Sequence, residues 1–274
     1  MSTAMTTNYA ALLASQNLGN VQKNMDKSIS RLSSGLRLNS ASDDAAGIQV
    51  AGRMETQIRG LTAAMMNSKN AQSLVNTAEG AMIEVTEVLQ RMRELAVQSS
   101  SGVATTNDRN YLDAEMEQLV MEIDSIASNT KFNGKTLLKG DTFKFYQDIY
   151  PSAHNIQTDA NDMSTSSLSI TNENVSIGSQ ALAKIAISRI DTAISSVVEK
   201  RANLGAISNR IDHVVDNLSN VIMNTTASKS RIEDADYATE TTNLTKNTVL
   251  QQAATAMLSQ ANATKNTILT LIQT

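Results

Sequence analysis

The sequence predicts a mainly α-helical protein, a long antiparallel helical bundle with coiled-coil helices at its two ends and a small β-hairpin region. Apolar residues in the second half recur at alternating steps of four and three, the spacing of a helix packed along one seam. Only one proline, Pro151, is present among 274 residues, and aromatic residues make up 3% of the chain. Slim helices packed through Ala, Leu, Ile, Val and Met suit this composition better than a thick globular core.

The clearest heptad pattern lies in residues 178–224. Its seam positions are Ala183, Ile187, Ile190, Ile194, Val197, Arg201, Leu204, Ser208, Ile211, Val215, Leu218 and Ile222. With no proline to end it, this segment is expected to form one helix of roughly 60–70 Å at 1.5 Å per residue. A helix of that length needs long helical neighbours.

Two earlier segments supply such neighbours. Residues 45–100 end in the seam Met82, Val85, Leu89, Met92 and Ala96, and a second segment carries Leu112, Met116, Leu119, Ile123 and Ile126. Between them, residues 99–108 are rich in Ser, Thr, Asn and Gly, which end helices and offer Thr106, Asn107 or Asp108 as the next N-cap. An antiparallel hairpin of helices is therefore predicted.

A small β region is predicted for residues 131–176. Turn signals occur at Asn133-Gly134 and Lys139-Gly140-Asp141, with short alternating stretches at 143–146 and 167–170. Residues 150–166 are polar and contain Pro151, so we expect a surface loop there.

Both ends of the chain predict amphipathic helices with thin apolar stripes. The first stripe is Leu18, Val21, Met25, Ile29 and Leu32, and the second is Leu250, Ala254, Met257, Ala261, Thr264, Ile268 and Leu271. Neither is large enough to stabilise a domain alone, so we expect these helices to become ordered when copies of the chain bury them. The expected domains are residues 1–44 with 230–274, and residues 45–229.

Charge and composition argue against several classes of partner. Lys and Arg total 23 against 27 Asp and Glu, and this net charge of -4 offers no cationic excess for nucleic acid or an anionic membrane. Cysteine is absent, which excludes disulfides and thiolate metal sites. Residues 1–20 do not resemble a Sec signal, and no stretch near twenty residues is continuously apolar.

No constellation of residues predicts catalysis. His154 falls in the polar loop and His213 on the heptad helix, with no cysteine or cluster of carboxylates near either in sequence. The pair Asp43-Asp44 supplies too few oxygens for a calcium site, and capping of the helix that begins at Ala45 explains it better. We therefore expect no enzyme activity, no cofactor and no metal.

Arg91 and Leu95 lie on a face of their predicted helix that is rotated away from the seam. An exposed arginine beside an exposed leucine can bind a partner, whereas a solvated stripe with a stray apolar residue is the simpler interpretation.

Several runs of residues together resemble bacterial flagellin, in a short form without large outer domains. These runs are Asn17-Leu18 and residues 30–47, 89–98, 132–138 and 228–238. The resemblance implies a structural subunit of the flagellar filament, which transmits motor torque for swimming. The paired terminal helices would form the inner tube, with Leu18, Val21, Met25, Ile29, Leu32, Leu250, Met257, Ile268 and Leu271 at the interface between subunits.

The resemblance also implies partners and a route out of the cell. It implies export through the flagellar type III apparatus without a Sec signal, an export chaperone on the C-terminal helix, and contacts with the filament cap and hook-junction proteins. In family members that an animal Toll-like receptor senses, an exposed Arg, Leu and Glu match Arg91, Leu95 and Glu115 here, so these residues are expected to bind that receptor.

Two alternatives stay open at this point. A hook–filament junction protein shares the terminal helices but usually has a proline in the segment matching residues 40–45, where this chain has none. An intracellular coiled-coil adaptor would form small oligomers in solution instead of long polymers. The segment 260–266 also departs from the Gln-Ala-Asn-Gln-x-Pro-Gln pattern frequent in flagellins.

Overall fold

A computed structural model describes residues 7–146, 155–157 and 161–272, with backbone alone for 146, 155, 156 and 265–272. Most described residues are helical, which confirms the mainly α fold class. The helices are α1 (Tyr9–Ser34), α2 (Ala45–Ser99), α3 (Thr106–Asn129), α4 (Asn172–Val175), α5 (Gln180–Glu233) and α6 (Tyr237–Ile272). No helix within the described ranges is long and apolar enough to cross a membrane.

Among the described residues, the β region contains two small antiparallel sheets. Strand β1 (Lys131–Phe132) pairs with β2 (Lys135–Thr136) around Asn133 and Gly134, which have φ values of 48° and 80°. The Asn-Gly pair makes this left-handed turn possible, as predicted. Strand β3 (Lys144–Tyr146) pairs with β4 (Asn155–Gln157), with Phe145 opposite Ile156.

The contacts divide the chain into two compact units. We call residues 1–56 with 224–274 the terminal unit, and residues 57–223 the central unit. Both boundaries fall inside the uninterrupted helices α2 and α5, where the sequence contains no break. The domain limits at 44/45 and 229/230 remain predictions.

The core of the central unit consists of the predicted seams. The α2 positions Met82, Val85, Leu89, Met92 and Ala96 are all fully buried, and they share one apolar cluster with Met116 and Ile123 of α3 and with Ala183, Ile190, Val197, Leu204 and Ile211 of α5. The polar seam position Ser208 is half-buried and accepts a hydrogen bond from Gln72 Nε2 at 2.8 Å. The three helices thus bury one another along their heptads.

One part of the predicted surface loop 150–166 is buried, so that prediction is wrong for residues 161–165. Met163 is fully buried, and its backbone N–H donates to the carbonyl of Leu138 at 2.9 Å. Thr165 donates to Asp124 through its backbone N–H at 2.9 Å and its hydroxyl at 2.8 Å. Because these contacts satisfy the polar groups, a mostly polar segment can pack against the helices. Residues 147–154 and 158–160 of that loop, with Pro151 and His154, lie outside the described residues.

The N-cap of α3 is Thr105 and not Thr106, Asn107 or Asp108. The Thr105 hydroxyl accepts from the backbone N–H of Asp108 at 3.2 Å, and the Asp108 carboxylate accepts from the backbone N–H of Thr105 at 2.9 Å. This reciprocal capping box satisfies two backbone donors at once, which makes Thr105 the better start.

Candidate interface at the paired terminal helices

In the terminal unit, α1 and α6 pack against each other in antiparallel orientation. Asn8 near the start of α1 reaches Ala261 near the end of α6, whereas Ser28 near the end of α1 reaches Glu240 near the start of α6. Half-buried residues recur along α6 at Leu244, Gln251 and Leu258, seven residues apart. The two ends of the chain therefore pair as coiled-coil helices, as the sequence predicts.

The residues predicted to form contacts between copies fall into two groups. Leu18, Val21, Met25 and Leu32 are half-buried and share the face of α1 that carries Gln22 and Ser28, the side packed on α6. Ile29, Leu250 and Met257 are exposed by 47%, 42% and 66%, respectively. The side chains of Ile268 and Leu271 lie outside the described residues. An assignment of any of these residues to contacts between copies remains a prediction.

The outer surfaces of this helix pair carry more exposed apolar side chains than the sequence stripes suggested. Besides Ile29, Leu250 and Met257, they are Tyr9, Leu12 and Leu13 on α1 and Tyr237 and Val249 on α6. Tyr9 is 72% exposed and Leu12 is 62% exposed. Each amphipathic helix thus has one apolar face against its partner helix and further apolar side chains in solvent.

A buried polar cluster lies within the helix pair. Glu240 is only 6% exposed, and its carboxylate accepts from the Ser28 hydroxyl at 2.9 Å and from Arg31 Nη1 at 2.8 Å. Burial opposes ionisation of Glu240, but hydrogen bonds from Arg31, Ser28 and Asn243 outweigh it and lower the pKa of this carboxyl. Further along, Gln251 Nε2 donates to Gln22 Oε1 at 2.8 Å, and Asn8 Nδ2 donates to the Ala261 carbonyl at 3.0 Å.

Sequence reasoning missed this cluster because it followed apolar positions alone. Ser28 lies seven residues after Val21, so it occupies a seam position, and a serine there was the available signal. Its partner Glu240 lies 212 residues away in sequence, and nothing local links the two.

The segment after α1 is hydrogen-bonded to the residues that precede α6 and packs closely against the start of α2. Gly35 ends α1 with φ 73°, a left-handed conformation that favours glycine, and its carbonyl accepts from the backbone N–H of Ala235 at 2.9 Å. Gly47 has no room for a side chain, since a Cβ there would lie 2.5 Å from Asp44 Oδ2 and 2.8 Å from Leu38 Cδ1.

The pair Asp43-Asp44 stabilises this segment. Asp44 Oδ1 accepts from the backbone N–H groups of Ala46 and Gly47 at 3.1 and 3.0 Å, as predicted for a cap of α2. Lys27 Nζ lies 2.8 Å from Asp43 Oδ1, and this contact, with the backbone N–H groups of Ser40 and Asn39, lowers the pKa of Asp43 to about 2.

The residues predicted to bind an animal receptor belong to the central unit. Arg91 and Glu115 are exposed and paired, with Arg91 Nη2 2.8 Å from Glu115 Oε1, and Glu94 lies 3.2 Å from Arg91 Nη1. Leu95, in contrast, is 1% exposed within the apolar cluster, so its predicted exposure is wrong. Because α2 packs in one cluster with residues from both α3 and α5, it needs a wider apolar face than a single seam.

Comparisons with known proteins decide the family. The family model for the bacterial flagellin N-terminal helical region matches residues 5–142, and the model for the C-terminal helical region matches residues 187–272. A flagellin from Halalkalibacterium halodurans is 41% identical over an alignment of 276 positions, which spans 97% of this chain and 98% of the relative. The chain belongs to the bacterial flagellin family.

A second relative and a solved structure are also similar to this chain. A flagellar filament 33 kDa core protein from Treponema phagedenis is 37% identical over an alignment of 285 positions, which spans 97% of this chain and 98% of the relative. The crystal structure of Bacillus cereus flagellin matches with a TM-score of 0.50 and 33% identity, over 56% of this chain and 88% of that one.

Membership of the flagellin family confirms the interpretation as a structural subunit of the bacterial flagellar filament. Flagellins are structural proteins that self-assemble into this extracellular filament. These relatives lend no support to the alternative interpretations as a hook–filament junction protein or an intracellular coiled-coil adaptor.

Proposed function

We propose that this flagellin polymerises by packing the paired helices α1 and α6 of many copies into an inner tube, and that the resulting filament transmits motor torque for swimming. The observation that carries the proposal is the set of large apolar side chains left in solvent on this helix pair. Burying one Leu or Met side chain contributes roughly 1.5–3 kcal/mol, so several of them per copy favour association.

A second part of the proposal concerns export and assembly. We infer that the chain leaves the cell unfolded through the flagellar type III apparatus, with an export chaperone on the C-terminal helix, and that a cap protein places it on a filament that begins at hook-junction proteins. Two features support this route. The chain contains no cysteine that could form a disulfide before export, and α6 exposes Val249, Leu250 and Met257, which a chaperone could cover.

The interface is tested by replacing exposed apolar side chains in two places. Leu250→Ser with Met257→Ser removes two of them from α6, and the matched control Val103→Ser with Tyr111→Ser removes two that are 90% and 77% exposed in the central unit. After a salt or seed trigger, sedimentation and electron microscopy should show filaments from the control and little polymer from the α6 variant.

Because all four side chains are exposed, both double variants should fold, which circular dichroism can verify. If the α6 variant polymerises as well as the control does, α6 does not form the proposed interface.

We also propose that unpolymerised subunits bind an animal Toll-like receptor through Arg91 and Glu115. The support is that these two side chains form an exposed pair of opposite charges on neighbouring helices, where a partner can reach both. Leu95 would support this surface from beneath, since its side chain is buried.

A further inference from the structure

The seam between α1 and α6 contains few features that fix how far one helix is shifted along the other. On α6, Leu244, Gln251 and Leu258 follow one another at seven-residue steps, as do Ala254 and Ala261. A shift by one heptad would place Leu258 where Gln251 lies and Ala261 where Ala254 lies. Because the side chains at these repeated positions are small or similar in size, packing alone permits several registers.

The cluster of Glu240, Ser28 and Arg31 breaks this repetition. A shift by one heptad moves α6 by about 10 Å at 1.5 Å per residue, beyond the reach of a hydrogen bond. In one direction Glu240 would lie level with Val21, with the exposed and uncharged Asn24 in the place of Arg31, and in the other level with Gly35, beyond the last residue of α1. Either shift separates a buried carboxylate from both of its partners, which is strongly unfavourable.

We propose that Glu240, held by Ser28 and Arg31, determines the register in which α6 packs on α1. Gln22 with Gln251 and Asn8 with Ala261 reinforce the same register further along the pair. A single polar group that fixes the alignment of a coiled coil is a known use of buried polarity. The register sets the position of the exposed residues of α6 beside those of α1, and this consequence for polymerisation rests on the proposed function.

The absence of cysteine allows a direct measurement of the register. Gln22→Cys with Gln251→Cys joins two side chains that touch in the native register. Gln22→Cys combined with either Leu244→Cys or Leu258→Cys reports a shift by one heptad in each direction. A short bismaleimide is applied to the unpolymerised full chain in concentrated sucrose, an osmolyte that favours burial and so the paired form of these marginal helices. It should join positions 22 and 251 efficiently and the two shifted pairs only at background level.

The decisive variant makes the cluster apolar through Ser28→Ala, Arg31→Leu and Glu240→Leu. Helical pairing should persist because apolar residues of similar size can replace a buried ion pair without loss of stability. In this background the shifted pairs should cross-link several-fold above their native level. Cross-linking that stays confined to positions 22 and 251 would show that other residues set the register.

A charge exchange between Arg31 and Glu240 is a second test of the assignment. Arg31→Glu alone and Glu240→Arg alone should each reduce the cross-link between positions 22 and 251, whereas Arg31→Glu with Glu240→Arg should restore it. Failure of the double exchange to restore this cross-link, with helical content unchanged by circular dichroism, would overturn the assignment.

The register and the polymer interface are measured separately. Cross-linking uses unpolymerised chain, so a variant that shifts register supports the assignment whatever the role of Leu250 and Met257. Electron microscopy of the apolar variant then tests the consequence, and we expect few or irregular filaments. Regular filaments from chains of mixed register would show that polymerisation does not depend on this alignment.

Discussion

Arg91 and Leu95 lie one helical turn apart on α2 and have opposite environments. The Arg91 side chain is half exposed and reaches Glu115 and Glu94, whereas Leu95 is enclosed by the central core. Removing Leu95 would leave a cavity among fully buried neighbours such as Met92 and Ala96, whereas removing Arg91 would leave two solvated carboxylates. Substitution of these two residues therefore has different physical consequences.

At the residue scale we predict that Leu95→Ala lowers the free energy of unfolding by about 2–5 kcal/mol, as for other buried leucines. Arg91→Ala should leave the melting temperature almost unchanged because its ion pairs are exposed. Chemical denaturation followed by circular dichroism measures both.

In cells that bear the receptor, unpolymerised subunits with Arg91→Ala or Glu115→Ala should signal less than the unsubstituted chain. An undiminished signal from both folded variants would contradict receptor binding through this pair. A weaker signal from Leu95→Ala alone would report lost stability and not a lost contact.

At the scale of single elements, sequence patterns predicted the structural features that depend on residues close together in the chain. The seams of α2, α3 and α5 follow from heptad spacing, and the β1–β2 turn follows from Asn133-Gly134, because each is specified by residues near one another in sequence. The N-cap Thr105 could also have been predicted from the sequence, since Thr-x-x-Asp is a capping-box pattern. The burial of Leu95 could not be predicted from the sequence, because it depends on which residues pack against a second side of α2.

The pairing of α1 with α6 depends on pH through Glu240. Its pKa is lowered in the folded chain, so its ionised form contributes stability that is fully present above the unfolded value near 4.5 and is lost as the pH falls through the lower folded value. We predict that Glu240→Gln lowers the melting temperature at pH 7, and that this difference shrinks as the pH falls below 4.5.

Circular dichroism melts of dilute, unpolymerised chain in concentrated sucrose measure that difference, because this osmolyte favours the paired form of marginal helices. Asp108→Asn is a matched control, because the pKa of Asp108 is also lowered but by its hydrogen bonds with Thr105 at the start of α3. A deficit for Glu240→Gln that stays constant from pH 7 to pH 3 would show that ionised Glu240 does not stabilise the pair.

At the scale of the whole molecule, the two units differ in how fully they bury their apolar residues. The central unit contains a large continuous cluster in which most members are fully buried. In the terminal unit, the α1 and α6 seam residues with described side chains are at best half-buried apart from Ser28 and Glu240. A unit with so little enclosed apolar surface is marginal alone and gains stability when other copies cover it.

This contrast predicts the effect of removing residues 1–30. The deletion removes most of α1, including Leu18, Val21, Met25 and the Ser28 partner of Glu240, so α6 loses its partner helix. Filaments should be absent by electron microscopy under a salt or seed trigger that polymerises the full chain. The central unit should still melt cooperatively, because no residue of its core cluster lies in the deleted segment. Normal filaments from the shortened chain would show that the terminal helices are not required for polymerisation.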